Sequence, residues 1–217
     1  MRKEISAQQA YIESLLLQES PSKITARDFS EKLGLGGISI SPSEAHLIQF
    51  LFRLSRPTKI VEIGTLTGLS ASYFLEALPE NGKLWTFEKS LQHAEMATQV
   101  LASAIENGQC EIRLGDALLE LPKIEAHGPF DAIFIDGNKA AYYQYWKWAE
   151  KNLASKGLIV IDNVFLAGAV WGDLSQQKFN EKQISEVRKM NEEILRHPDF
   201  YSSFIPTSEG LLIAYRK

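Results

Sequence analysis

Lys59-Ile60-Val61-Glu62-Ile63-Gly64-Thr65-Leu66-Thr67-Gly68-Leu69-Ser70 is the stretch that decides the fold: a short apolar run, a turn bearing two glycines, then the start of a helical pattern. Three further apolar runs end in acidic or Gly-rich signatures: Lys83-Leu84-Trp85-Thr86-Phe87-Glu88, Phe130-Asp131-Ala132-Ile133-Phe134-Ile135-Asp136 and Gly157-Leu158-Ile159-Val160-Ile161-Asp162-Asn163. Strands that alternate with helices imply a parallel sheet covered on both faces. In such a sheet ligands bind beyond the carboxyl ends of the strands, so residues far apart in sequence meet there.

Working outward, a further strand is predicted at Cys110 to Leu114, a long amphipathic helix at about Gln183 to Arg196, and two closing strands at Tyr201 to Pro206 and Gly210 to Tyr215. The closing hairpin is expected to add an antiparallel edge. Ahead of Lys59 the chain reads as helical. Ser6 to Leu17 carries apolar residues at helical spacing until Pro21, Thr25 to Leu33 opens on a Thr cap, and Ser41-Pro42-Ser43-Glu44 starts a helix that runs to Arg56-Pro57. The predicted fold is α/β: a Rossmann-like, doubly wound, mostly parallel seven-stranded sheet with an antiparallel C-terminal strand and N-terminal helices. One domain is expected over 1–217, with 1–57 a helical cover and 58–217 an α/β core.

Composition narrows the function. The chain has 217 residues, 45% hydrophobic and 23% charged, and a formal net charge of -4. No apolar run approaches the ~20 residues of a membrane helix, and no secretory signal opens the chain, so a cytoplasmic protein without a membrane partner is expected. The acidic balance disfavours nucleic acid. Cys110 is the single cysteine, which excludes an internal disulfide framework and a multi-cysteine zinc site, and it reads as a small hydrophobe near a strand. The four histidines form no H-x-x-x-H or H-E-x-x-H pattern, and neither G-x-S-x-G nor a phosphate-loop signature is present.

The turn after the first strand lets backbone approach a ligand at Gly64 and Gly68 and offers free N–H groups at a helix start. Glu88 follows about 20 residues beyond the glycine loop, where Rossmann-like folds place an acid for ribose hydroxyls. Leu114-Gly115-Asp116-Ala117 closes the next strand. Asp136, Asp162 and Asn163 supply two carboxylates and an amide oxygen at neighbouring strand ends, the oxygen donors that a hard divalent cation prefers. Each alone also reads as a turn or cap residue.

These motifs, taken in order, resemble the cation-dependent O-methyltransferases that include the catechol and caffeoyl-coenzyme A enzymes, within the class I S-adenosylmethionine-dependent methyltransferases. The resemblance runs from about Ile38 to the C-terminus: Glu62-Ile63-Gly64-Thr65 with Thr67-Gly68, Phe87-Glu88, the D-x-x-K-x-x-Y segment from Asp136 to Tyr142, Asp162-Asn163, Gly168, Pro206 and Glu209-Gly210-Leu211. It implies S-adenosylmethionine over Glu62, Gly64, Thr65, Gly68, Ser70, Glu88, Asp116, Ala117 and Asp136. It also implies a divalent cation, magnesium in the first instance, on Asp136, Asp162 and Asn163, with Lys139 as the catalytic residue that takes the acceptor proton. The implied acceptor is a small catechol-like or vicinal-diol aromatic, and the implied assembly a homodimer.

Two departures stand out. The family often has Asp-Ala-Asp-Lys where this chain has Asp136-Gly137-Asn138-Lys139, which removes a carboxylate. Leu166 stands where caffeoyl-coenzyme A enzymes place a tryptophan. Trp171, Tyr142, Tyr143 and Trp146 are the aromatic residues available to line a ring pocket, though packing in the core or an interface is the better expectation for most of them. Two other functions are open on sequence: methylation of a hydroxylated wobble uridine in transfer RNA, against which the acidic balance counts, and a non-catalytic S-adenosylmethionine-binding module, against which the intact Lys139 counts.

Overall fold

A computed structural model describes residues 7–16, 18–173, 175 and 178–217. The helices are α1 (Ala7–Ser14), α2 (Pro21–Lys32), α3 (Pro42–Ser55), α4 (Leu69–Leu75), α5 (Leu91–Val100), α6 (Ala102–Glu106), α7 (Ala117–Glu120), α8 (Tyr142–Asn152) and α9 (Glu181–Arg196). The strands are β1 (Lys59–Ile63), β2 (Lys83–Glu88), β3 (Cys110–Leu114), β4 (Phe130–Ile135), β5 (Leu153–Ile161), β6 (Phe200–Ile205) and β7 (Leu211–Arg216). They make one seven-stranded mixed sheet in the order β3-β2-β1-β4-β5-β7-β6. The chain packs as two compact units, one drawn from Met1–Thr58 and Thr65–Asp116, the other from Lys59–Gly64 and Ala117–Lys217. Among the described residues no helix is long and apolar enough to cross a membrane.

In the second unit β1, β4 and β5 run parallel, and Ile63, Ile135 and Ile161 stand level as register partners. Their continuous apolar sequences follow from burial on both faces: Ile60, Val61, Ile133, Ile159 and Val160 are all fully buried. The tail hairpin adds the expected antiparallel edge to the sheet. β7 pairs antiparallel with β5 and with β6, so the antiparallel strand lies one place in and β6 is outermost. Outside the sheet, α8 buries Tyr142, Tyr145, Trp146 and Ala149, one helical stripe, and α9 buries Ile184, Val187, Met190 and Ile194. The two helices are bridged by Glu193, which accepts from Tyr143 Oη (2.7 Å), Trp146 Nε1 (3.1 Å) and Lys147 Nζ (2.9 Å). Burial raises the Glu193 carboxyl, but these donors outweigh it and hold its pKa at about 2.

In the first unit β2 and β3 pair in parallel, and Cys110, expected near a strand, begins β3 and is buried. The N-terminal helices depart from the sequence reading at Pro21. Proline there begins α2 rather than ending a helix, because the first turn needs no N–H from it. Thr25 lies inside α2 and donates to the Pro21 carbonyl at 2.9 Å, so it is not a cap. Ser6 and Leu17, the predicted ends of the first helix, lie outside the described residues. α3 starts as expected, with Ser41 and Glu44 in a reciprocal capping box.

Buried polar groups lock α2 in place. Ser39 Oγ donates to Ser30 Oγ (3.0 Å), Ser30 pairs with Thr67 Oγ1 (2.8 Å), and Thr67 donates to the Ala26 carbonyl (2.8 Å). Each hydroxyl in that chain is buried, so the glycine turn is tied to α2 by directional bonds. Farther along, Arg27 grips Glu19 through Nε and Nη2, both at 2.6 Å, while Tyr73 Oη donates to Glu19 at 2.5 Å. Lys23, itself buried, pairs with Glu76 at 2.6 Å and sits 3.8 Å from the centre of the Tyr73 ring.

Two outcomes follow from this packing. Thr67→Val keeps the shape but takes from the Ser30 hydroxyl proton its Thr67 acceptor and removes the Thr67 bond to the Ala26 carbonyl, and urea unfolding is expected to show a loss of about 1–3 kcal/mol; an unchanged midpoint would refute the hydroxyl chain. For Glu19, burial raises the carboxyl, but the bonds from Arg27 and Tyr73 and the charges of Arg27 and Lys23 leave it below its ordinary value. A depressed folded pKa gives stability that is complete above the unfolded carboxylate value and drains away as pH falls through the folded one. Glu19→Gln should therefore narrow the stability difference between pH 7 and pH 3, measured by denaturant titration, relative to the parent chain.

Candidate active site

The second unit carries the tightest cluster. The ladder of β1, β4 and β5 continues one residue past its aligned isoleucines: Asp136 N donates to Ile63 O at 2.9 Å and Asp162 N to Ile135 O at 3.0 Å. Gly64, Asp136 and Asp162 thus occupy equivalent places at three strand ends. Gly64 has a positive φ of 105°, and a Cβ there would stand 2.2 Å from the Asp136 carbonyl oxygen. The glycine is required by the sheet itself, which adds a structural reason to the ligand-approach reading.

Beyond β4, Asn138 Oδ1 accepts from Ala140 N at 3.1 Å and caps the short turn Lys139–Ala141 that leads into α8. The cap role considered for Asp136 is therefore filled by Asn138. The turn places Lys139 and Tyr142 three residues apart on one face. Lys139 Nζ donates to Asp136 Oδ1 (2.6 Å), Asn163 Oδ1 (2.7 Å) and Tyr142 Oη (2.5 Å). Tyr142 Oη in turn donates to the Asp162 carbonyl at 3.0 Å. Burial first, and then the Asp136 and Asp162 charges, push the Tyr142 phenol well above its ordinary pKa, so it stays a neutral hydroxyl.

Asn163 takes a left-handed φ of 58°, which asparagine tolerates better than most residues. Its N–H bonds to Asp162 Oδ1 at 2.6 Å. The oxygens of Asp136 and Asn163 converge on one cationic point, and such a pair of hard donors suits a divalent metal ion. Asp162 joins them through its backbone and neighbouring strand end; its side chain is fully buried and turns one oxygen to Asn163 N. Among the described residues no cluster of three or more His, Cys, Asp and Glu is poised for a metal, so a cation here depends on the Asn163 amide.

The residues predicted for a nucleoside cofactor divide between the units. In the first, Glu88 Oε2 accepts from Leu66 N and Oε1 from Ser90 N, both at 2.8 Å. A carboxylate has about four lone-pair sites, so this latch leaves acceptor capacity for ribose hydroxyls. Gly115 N donates to the Glu88 carbonyl at 2.8 Å, which brings Asp116 to the same strand ends; its Oδ2 pairs with Lys89 at 3.1 Å. Gly68 caps α4 with φ 88°, and Ser70 lies buried in that helix. Thr65 turns inward: its hydroxyl meets Thr86 at 2.5 Å and its N–H bonds Phe87 O at 3.2 Å. In the second unit Glu62 is fully buried in β1 and Ala117 begins α7. Of the aromatic candidates, Tyr142 and Trp146 are fully buried and Tyr143 is engaged with Glu193, whereas Trp171 is 63% exposed.

Sequence reasoning missed the bond between Tyr142 and Lys139. The signal was available in their three-residue spacing at a helix start. A backbone test of the strand ends compares Gly64→Ala with Gly108→Ala, whose φ is 75° with no atom within 4 Å of its Cβ. Thermal or urea unfolding should give about 1–2 kcal/mol for Gly108→Ala from the left-handed backbone alone and a distinctly larger loss for Gly64→Ala; equal losses would contradict the contact with Asp136.

Comparison with known proteins agrees with this geometry. A family model described as O-methyltransferase matches residues 4–217. A catechol O-methyltransferase of Niastella koreensis is 36% identical over 183 residues, spanning 83% of this chain and 81% of the relative. The O-methyltransferase TomG from Streptomyces achromogenes, solved with S-adenosylmethionine, superposes with a TM-score of 0.88 at 30% identity over 98% of this chain and 97% of its own. An O-methyltransferase from Bacillus cereus, solved with SAH, gives 0.87 at 28% identity over 98% of each chain. The chain belongs to the O-methyltransferase family, with the fold of the S-adenosylmethionine-dependent methyltransferases.

Proposed function

We propose that this O-methyltransferase moves the methyl group of S-adenosylmethionine onto a hydroxyl of a small catechol-like or vicinal-diol aromatic, with a divalent cation, magnesium in the first instance, on Asp136, Asp162 and Asn163. One observation carries the reading: Asp136 Oδ1 and Asn163 Oδ1 both lie within 2.7 Å of Lys139 Nζ, so oxygen ligands and a proton acceptor share one point at the strand ends. Family membership and the solved complex of TomG with S-adenosylmethionine support the methyl donor. The name of the Niastella relative supports the acceptor class.

In this reading Glu88 would accept from the ribose, Asp116 and Ala117 would hold the base, and Glu62, Gly64, Thr65, Gly68, Ser70 and Asp136 would complete the donor's contacts. A bound divalent cation would supply Lewis acidity that lowers the pKa of the acceptor hydroxyl. The Lys139 amine, in its unprotonated form, would take the hydroxyl proton. Attack of the acceptor oxygen on the sulfonium methyl would form the C–O bond and break the C–S bond, with the electron pair passing to sulfur and S-adenosylhomocysteine released. Alignment of the reacting atoms supplies much of the acceleration.

The test is methyl transfer from labelled S-adenosylmethionine to a catechol. Chelator should abolish it and added magnesium restore it, and Lys139→Met should lower kcat by about 10²- to 10⁴-fold, the range of general-base contributions. Transfer that persists in chelator would remove the metal from the reading, and full turnover by Lys139→Met would remove the base.

A further inference from the structure

We infer that Tyr142 is a positioning residue that fixes the Lys139 amine through its hydroxyl, an inference that rests on the reading of Lys139 as the proton acceptor. The geometry gives the contact one polarity. A phenol has one proton, and that of Tyr142 is directed at the Asp162 carbonyl, 3.0 Å away. Its oxygen is left to accept, and Lys139 Nζ donates to it at 2.5 Å. The ring cannot rotate away without opening the core, since Tyr142 is fully buried at the first position of α8.

The three acceptors around Lys139 come from three elements: Asp136 from the end of β4, Asn163 from the turn after β5, and Tyr142 from the start of α8. Asp136 and Asn163 carry oxygens also suited to a cation. Tyr142 Oη is the partner with no competing ligand role, so it holds the lysine whichever of the other two contacts changes. The same hydroxyl touches the Asp162 backbone, which ties the lysine to the strand end that presents Asp162 and Asn163. A long flexible side chain gains a defined position this way, and misplacement of a reacting group by about 1 Å costs on the order of a hundredfold in rate.

Tyr142→Phe removes the oxygen and keeps the ring. The expected result is a kcat lowered by about tenfold to a hundredfold with both KM values within about twofold, and no further loss when the change is made in a Lys139→Met background, because the two residues act as one unit. A second readout needs no turnover. In the protein without added metal, the Lys139 ammonium should give a slowly exchanging ¹H–¹⁵N resonance, assigned by its absence in Lys139→Met, that weakens or vanishes in Tyr142→Phe.

An unchanged resonance, or a kcat loss of equal size with and without Lys139, would overturn the inference. Should Lys139→Met turn over at the parent rate, the base reading fails while the resonance still decides whether Tyr142 holds the lysine. If Tyr142→Phe does not fold, 3-fluorotyrosine at position 142 keeps ring and hydroxyl with a poorer acceptor oxygen. The Lys139 resonance should then shift, and an unshifted one sinks the proposal.

Discussion

The alignment of Ile63, Ile135 and Ile161 across three parallel strands is the constraint on which the candidate site depends. Side chains alternate along a strand, so a slip of one residue in either pairing would carry Asp136 or Asp162 to the other face. Register is held from both directions. At the start of β1, Lys59 N donates to Asp131 Oδ2 at 3.0 Å; at the far ends, the N–H of Asp136 extends the ladder to β1 and that of Asp162 the ladder to β4. The acidic residues are therefore part of the sheet's hydrogen bonding, and their positions inherit its rigidity.

Several residues answer structural and chemical demands together. Gly64 gives room to the Asp136 carbonyl, which any side chain there would strike, and it stands in the turn at the strand ends. Asn163 is a residue that accepts a left-handed backbone and also offers a neutral oxygen to Lys139. Glu88 closes its loop through two backbone N–H groups while keeping lone pairs in reserve. Motifs of this kind point to function less sharply than their spacing suggests, because part of each is required for folding. The convergence of side chains from separate elements on Lys139 Nζ is the more discriminating observation.

Strands were legible because fully covered parallel strands are written as unbroken apolar runs, and the candidate acids because they stand at the ends of those runs. The turn at Pro21 was not, since proline marks a helix start and a helix stop alike and only the backbone of Ser20 decides between them. The order of the last two strands was hidden for a similar reason: a hairpin's sequence does not say which arm faces the sheet. No sequence motif marks Ser30 or Ser39, and their burial with Thr67 arises only when α2 meets the glycine turn. Tyr142 and Trp146 offered aromatic surface to a ligand by composition alone; the stripe they share on α8 turns them into the core.

The substitution of Asn138 for the acid common in this family changes charge more than shape. Asn138 Oδ1 accepts from Ala140 N and opens the turn that sets Lys139 beside Asp136. Asparagine and aspartate cap such turns about equally well, so either residue leaves the lysine in the same place. What is lost is one negative charge at an exposed position, where solvent screens it. Asp136 and Asp162 are retained at the adjacent strand ends, and Asp136 keeps its contact with Lys139.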